Sequence, residues 1–124
     1  MARLADLALG TTAVKPFSFK RKRRDNSEVE CAVLIRILSA GELDHARINA
    51  ARYLNSLDSE KTAGQTREDI LRDAETIEVL TTALRDPEKP EQSWASTTDL
   101  RAMLSTTEIA LLSKAYEDFS EEVG

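Results

Sequence analysis

The residues able to do chemistry are few. The chain holds one histidine, His45, and one cysteine, Cys31. A structural zinc site needs three or four thiolate or imidazole ligands, so a Cys/His zinc centre is excluded. One cysteine forms no disulfide within a monomer, which reads as a reducing compartment. His45 stands beside Asp44 without a nucleophile pattern and reads as a surface histidine. The carboxylates come as sequence neighbours, such as Glu68-Asp69 and Glu117-Asp118, and adjacent residues do not share a helix face. Glycine occurs only at positions 10, 41, 64 and 124, so no phosphate-cradling loop exists. These residues assign no catalytic, cofactor-binding or metal site. They point to a protein without enzymatic chemistry.

What remains is charge and shape. Of 124 residues, 41% are hydrophobic, 31% charged and 5% aromatic, with a net charge of −5. This suits one domain with a modest core. No apolar run approaches the roughly 18 residues of a membrane span, so no membrane partner is expected. The apolar start of the chain is broken by Asp6 and is short for a signal peptide; it reads as a cytosolic N-terminus. The charge is lopsided. Residues 1–24 carry seven basic side chains and one acid, net +6; residues 25–124 carry ten basic and 21 acidic, net −11. Five basic residues are consecutive, Lys20 to Arg24. Such a run can bind nucleic acid or can be a solvated strand.

The flanking residues favour the strand. Phe17-Ser18-Phe19 alternates, Asp25-Asn26-Ser27 is a turn cluster, and Val29, Cys31, Val33, Ile35 and Ile37 recur at period two. A three-residue loop over 25–27 would set Arg24 opposite Glu28, Lys22 opposite Glu30, Phe19 opposite Val33 and Phe17 opposite Ile35. Asn26 tolerates the positive φ that such a loop needs. An acidic remainder would repel phosphate, which argues against nucleic acid as a partner.

Helical signals follow. Ser39-Ala40-Gly41-Glu42 is a capping-box pattern, and Leu43, Ala46, Ala50, Leu54 and Leu57 give a helix over about 40–57. Residues 58–66 read as a flexible connection. Thr66-Arg67-Glu68-Asp69 opens a second helix over 67–85, with Ile70, Ala74, Ile77, Leu80 or Thr81, and Leu84 as its stripe; Pro87 and Pro90 end it. Residues 86–96 form an acidic, proline-broken loop around the only tryptophan, Trp94. Thr97 or Thr98 caps a short helix over 98–104. Ser105-Thr106-Thr107-Glu108 opens a last helix over 106–120, with Ile109, Leu112, Tyr116 and Phe119 inward. The expected fold is α+β: an N-terminal β-hairpin over 17–38 and about four α-helices in a single domain over 17–119, between an N-terminal segment 1–16 and an acidic tail 120–124. Cys31 falls on the apolar face of its strand and reads as a packed thiol. Trp94 can pack back onto the domain or anchor a partner.

The order of these pieces resembles the tail assembly chaperones of long-tailed bacteriophages. The likeness runs over residues 17–119. It rests on the basic-aromatic hairpin leading into Val33-Leu34-Ile35-Arg36-Ile37-Leu38-Ser39-Ala40-Gly41-Glu42, and on Val79-Leu80-Thr81-Thr82-Ala83-Leu84-Arg85-Asp86-Pro87. The Trp loop and Thr98-Asp99-Leu100-Arg101 follow. The closing helix reads Leu104-Ser105-Thr106-Thr107-Glu108-Ile109-Ala110-Leu111-Leu112 and ends Ala115-Tyr116-Glu117-Asp118-Phe119. The resemblance implies a non-enzymatic protein that binds the tape measure protein in the host cytoplasm, keeps it soluble until tail-tube protein polymerises around it, and stays out of the mature virion. Trp94, Arg21, Arg23 and Tyr116 are the candidate partner contacts, and a homo-oligomer stays open. Two other readings remain: a structural tail or tail-completion subunit of the virion, and a small nucleic-acid-binding regulator using residues 20–24.

Overall fold

The structure is a computed structural model that describes residues 14–57 and 66–123. Most of the expected N-terminal segment, 1–13, and nearly all of the expected connection, 58–65, lie outside the described residues.

Two antiparallel strands, β1 (Val14–Lys22) and β2 (Glu28–Arg36), form the hairpin. The strand therefore starts at Val14, three residues before the expected hairpin. The register differs from expectation by two residues: Lys22 faces Glu28, Lys20 faces Glu30, Phe19 faces Cys31 and Phe17 faces Val33. The turn explains the difference. It spans five residues, not three. The Arg23 N–H donates to the Ser27 carbonyl (2.8 Å) and the Asn26 N–H to the Arg23 carbonyl (3.0 Å). The Asp25 carboxylate accepts both the Ser27 N–H (2.9 Å) and its hydroxyl (2.6 Å). Asn26 adopts the expected positive φ, at 69°. A slip of two keeps every side chain on its face, because side chains alternate at period two. Phe19, Val33 and Ile35 are thus buried, as the alternation requires.

Beyond β2, Ile37 and Leu38 are buried in the link to helix α1 (Ala40–Ser56). The capping box forms at its start: Ser39 Oγ accepts the Glu42 N–H (3.2 Å), and the Glu42 carboxylate accepts the Ser39 N–H (3.0 Å). Helix α2 (Arg67–Ala83) starts at Thr66, whose hydroxyl accepts the Asp69 N–H (3.1 Å). The two helices pack on each other. Ala46, Ala50 and Leu54 are buried on α1, and Ile70, Ala74, Ile77, Leu80 and Ala83 on α2.

Helix α2 stops at Ala83, two residues before the expected end. Leu84 and Arg85 turn extended and form β3 (Leu84–Arg85), which pairs antiparallel with β2 to give a three-stranded sheet in the order β1-β2-β3. Pairing buries Leu84 to 1% exposure, and Pro87, two residues after Arg85, disfavours continued helix. A two-residue strand is too short to leave a period in the sequence. Helix α3 (Thr97–Met103) is capped by Ser96, not by Thr97 or Thr98; its hydroxyl accepts the Asp99 N–H (3.1 Å). Helix α4 (Thr106–Val123) has a second full capping box, Ser105 with Glu108 (3.1 and 2.9 Å). It runs on through Ser120–Val123, where an acidic tail was expected. Neither glycine nor proline interrupts that turn, and Glu122 reaches Lys15 on β1 (2.8 Å).

The fold is α+β, a hairpin-based sheet followed by four helices. One sheet face meets the helices. Phe19, Val33, Ile35, Ile37 and Leu84 cluster there with Ile77 and Leu80 of α2, Leu100 of α3, and Leu112 and Phe119 of α4. The opposite face keeps Ser18, Lys20, Glu28, Glu30 and Ala32 exposed.

Candidate partner-binding groove

Helix α4 uses two stripes. Leu112 and Phe119 are buried in the core, with Ile109, Ala115 and Tyr116 packed against it. A second stripe, Thr106, Ile109, Ala110, Ser113, Lys114 and Glu117, advances by three and one residues and lines a groove of about 650 Å³. Such spacing keeps residues on one side of a helix. The facing wall is Arg72, Asp73, Thr76 and Ile77 of α2, and Arg101 and Leu104 come from α3 and its C-cap. Ile77, Leu104, Ile109 and Ala110 supply apolar surface; Arg72, Asp73, Arg101, Lys114 and Glu117 supply charge. The volume is in the range of ligand and peptide pockets. The stripe from Thr106 to Glu117 is three turns, about 16 Å at 1.5 Å per residue.

A smaller cavity of about 260 Å³ adjoins it, lined by Tyr53, Leu57, Ile70 and Ala74 and sharing Asp73, Ile77 and Arg101 with the groove. Arg101 lies over the Tyr53 ring, 3.7 Å from its centroid. Its Nη2 is buried with no hydrogen-bond partner among the described residues. The other two rim cations are matched: Arg72 with Asp69 (2.6 Å) and Lys114 with Asp118 (3.6 Å).

The sequence-derived contact residues lie elsewhere. Arg21 ties β1 to the joint between α3 and α4: its Nε is 2.7 Å from Glu108 Oε2, and Nη2 donates to the Met103 carbonyl. Arg23 is exposed in the hairpin turn. Tyr116 is half-buried, and its hydroxyl accepts the Leu38 N–H (3.3 Å). Trp94 packs back onto the domain. Its ring meets Phe19 edge-on (6.1 Å between centroids, 81°), and its backbone N–H donates to the Leu84 carbonyl (3.0 Å). None of the four lines the groove. The groove residues carried one sequence signal. Ile109-Ala110-Leu111-Leu112 is wider than a single inward stripe, so a second face of the last helix was already partly apolar.

His45 is exposed on α1, and Cys31 is half-buried against the core. No group of three or more His, Cys, Asp or Glu side chains able to hold a metal occurs among the described residues, and no helix of the described residues is long and apolar enough to cross a membrane. The basic run is split by its environment. Lys20 and Lys22 sit opposite Glu30 and Glu28, Arg21 is ion-paired, and Arg23 and Arg24 precede Asp25 in the turn.

The strongest pKa perturbation is at Glu42. Arg36 grips its carboxylate with two hydrogen bonds (2.9 and 2.6 Å) and holds its pKa at about 2, well below the usual carboxylate range. The same hydrogen bond raises the pKa of Arg36. This pair holds β2 to the start of α1 and is a feature of the fold, not of the groove.

Comparison with protein families, curated proteins and solved structures returned no match for this chain.

Proposed function

We propose that this protein is a non-enzymatic binding protein of the phage tail assembly chaperone kind, and that it receives an amphipathic helix of the tape measure protein in the groove between α2 and α4. The groove carries the reading. It is three turns long, has apolar surface from Ile77, Leu104, Ile109 and Ala110, and has a charged rim. Helix-in-groove recognition uses that combination: apolar anchors at i, i+3/i+4 and i+7 fill the floor, and polar residues of the rim set orientation. Covering the apolar stripe of a long helical partner would keep that partner from self-association. The net −11 of residues 25–124 disfavours stacking of one copy on another. In this reading the protein works in the host cytoplasm and is left behind when the tail is complete.

The test is co-expression with a tape measure protein, the long helical partner that this reading names. The expected result is a soluble complex of the two chains, and particles that lack this chain. Ala110→Arg places a long cation in the groove from an exposed position and should abolish co-purification while leaving the circular dichroism melt unchanged. A long helical product that stays insoluble beside wild-type protein overturns the reading. Stoichiometric recovery of this chain from purified particles points instead to the virion subunit.

A further inference from the structure

Arg101 is the one groove cation whose guanidinium lacks a carboxylate within 4 Å among the described residues. It lies where the two cavities meet and lines both. One face of the guanidinium is stacked on Tyr53 at 3.7 Å. Stacking occupies the face and leaves the in-plane N–H groups as the groups that need partners. Nη2 is buried and has none. A buried donor without an acceptor is costly, more so when charged. Asp73 lines the same two cavities but forms no ion pair with Arg101.

We infer that Arg101 is the specificity anchor of the groove and takes a side-chain carboxylate from the docked helix. The inference rests on the groove being the partner site proposed above. Nη2 is enclosed, so a docked carboxylate meets the guanidinium through Nε or Nη1, and the stack on Tyr53 holds the group in orientation for it. Charge complementarity selects the acidic helix over a neutral one. Arg72 and Lys114 already have their own acids at 2.6 and 3.6 Å, so Arg101 is the rim cation left to be neutralised. The partner segment is therefore a three-turn amphipathic helix with apolar residues at i, i+3 or i+4, and i+7, and an Asp or Glu bordering that stripe. A neutral helix would leave the anchor unmet.

The experiment selects binders to the full-length protein from displayed 16-residue helix-forming peptides with randomised surface positions. Enriched peptides should carry one Asp or Glu at a constant offset from the apolar stripe. A chosen peptide and its Glu→Gln or Asp→Asn twin are then compared by fluorescence anisotropy. Wild-type protein should favour the acidic peptide by about tenfold, the size expected of one charge-assisted pair. Arg101→Gln should bring both peptides to the same affinity, and Arg101→Lys should recover only part of the preference. Ala110→Arg, which does not touch the Tyr53 stack, should abolish binding of both. Melts of every variant separate lost binding from lost fold.

Enriched peptides without a carboxylate, or an acidic preference that survives Arg101→Gln, overturn the anchor while leaving the groove reading intact. Binding unaffected by Ala110→Arg, or no enrichment at all, removes the groove and the anchor together. Co-purification of the long helical protein in the face of an indifferent Arg101 overturns the anchor alone.

Discussion

Glu42 and Glu108 each do two jobs with one carboxylate. Each closes a capping box and each is gripped by an arginine from the hairpin: Arg36 for Glu42, Arg21 for Glu108. A capping box alone ends a helix; the added arginine fixes where that helix starts relative to the sheet. Arg36 makes the Glu42 contribution pH-dependent. The native carboxyl titrates at about 2 and the ordinary value is 4.5. A depressed folded pKa stabilises the fold above the unfolded value, and that stabilisation is lost as pH falls from about 4.5 toward 2. The side chains of Arg36 and Glu42 stay 25% and 32% exposed, so solvent screening reduces the contribution to about 1 kcal/mol. Glu42→Gln should therefore lower stability by about that amount at pH 7, read from urea unfolding. The gap between wild type and variant should close as the pH approaches 2. A gap of constant size from pH 7 to pH 2 would show that the ion pair contributes nothing.

At the scale of elements, Arg85 decides the shape of the loop after α2. Its guanidinium donates to the carbonyls of Thr82 (3.2 Å), Pro90 (3.0 Å) and Glu91, and to the Ser93 hydroxyl (3.4 Å). One side chain thus collects acceptors from a proline-broken segment that has few backbone bonds of its own. Around it the Asp86 N–H donates to Gln92 and the Trp94 N–H to Leu84, both at 3.0 Å, and Arg85 bridges to Ser93. From the sequence Arg85 is a last-turn helix residue that complements the dipole. In the fold it leaves the helix and clamps the loop, which holds Trp94 against Phe19. Arg85→Ala should speed hydrogen exchange at the Asp86 and Trp94 amides by about tenfold or more, because local opening then loses several bonds at once. Trp94 emission should shift to the red as the ring gains water. Unchanged exchange at both amides would mean that the strand pairing alone holds the loop.

At the scale of the molecule, α4 serves two masters, and neighbouring residues separate them. Leu112 is fully buried and Leu111 is 44% exposed. Leu112→Ala should cost about 2–5 kcal/mol, as large-to-small changes in close-packed cores do. Leu111→Ala should stay within about 0.5 kcal/mol. Equal losses at the two positions, by urea unfolding, would mean that the helix is rotated from the orientation described. Ile109 both packs on the core and lines the groove, but Ala110 is exposed and lines the groove without joining the core, so Ala110→Arg can be read for binding without being read for stability.

Much of this was legible in the chain. Period-two alternation identified the two long strands and which face of each is buried. Helical spacing and Ser-x-x-Glu starts located the four helices, since a capping box and an apolar stripe are local properties that neighbouring residues carry. Position along the partner strand was not legible. A hairpin slipped by two residues keeps the same faces, and the five-residue turn that chose between registers depends on the hydrogen bonds of Asp25 and Asn26. Leu84–Arg85 as a strand and the last turn of α4 were also decided by contacts with distant residues, whereas Ser96 caps α3 through a local bond to the Asp99 N–H. The same holds for the groove. Arg72, Asp73, Arg101, Ile109 and Ala110 come from three helices, and nothing in their separate neighbourhoods says that they line one cavity. Sequence alone determines which stretches must be buried, because burial follows from local periodicity. Only tertiary packing decides which leftover faces meet, because a shared cavity is a property of how helices cross and not of any one of them.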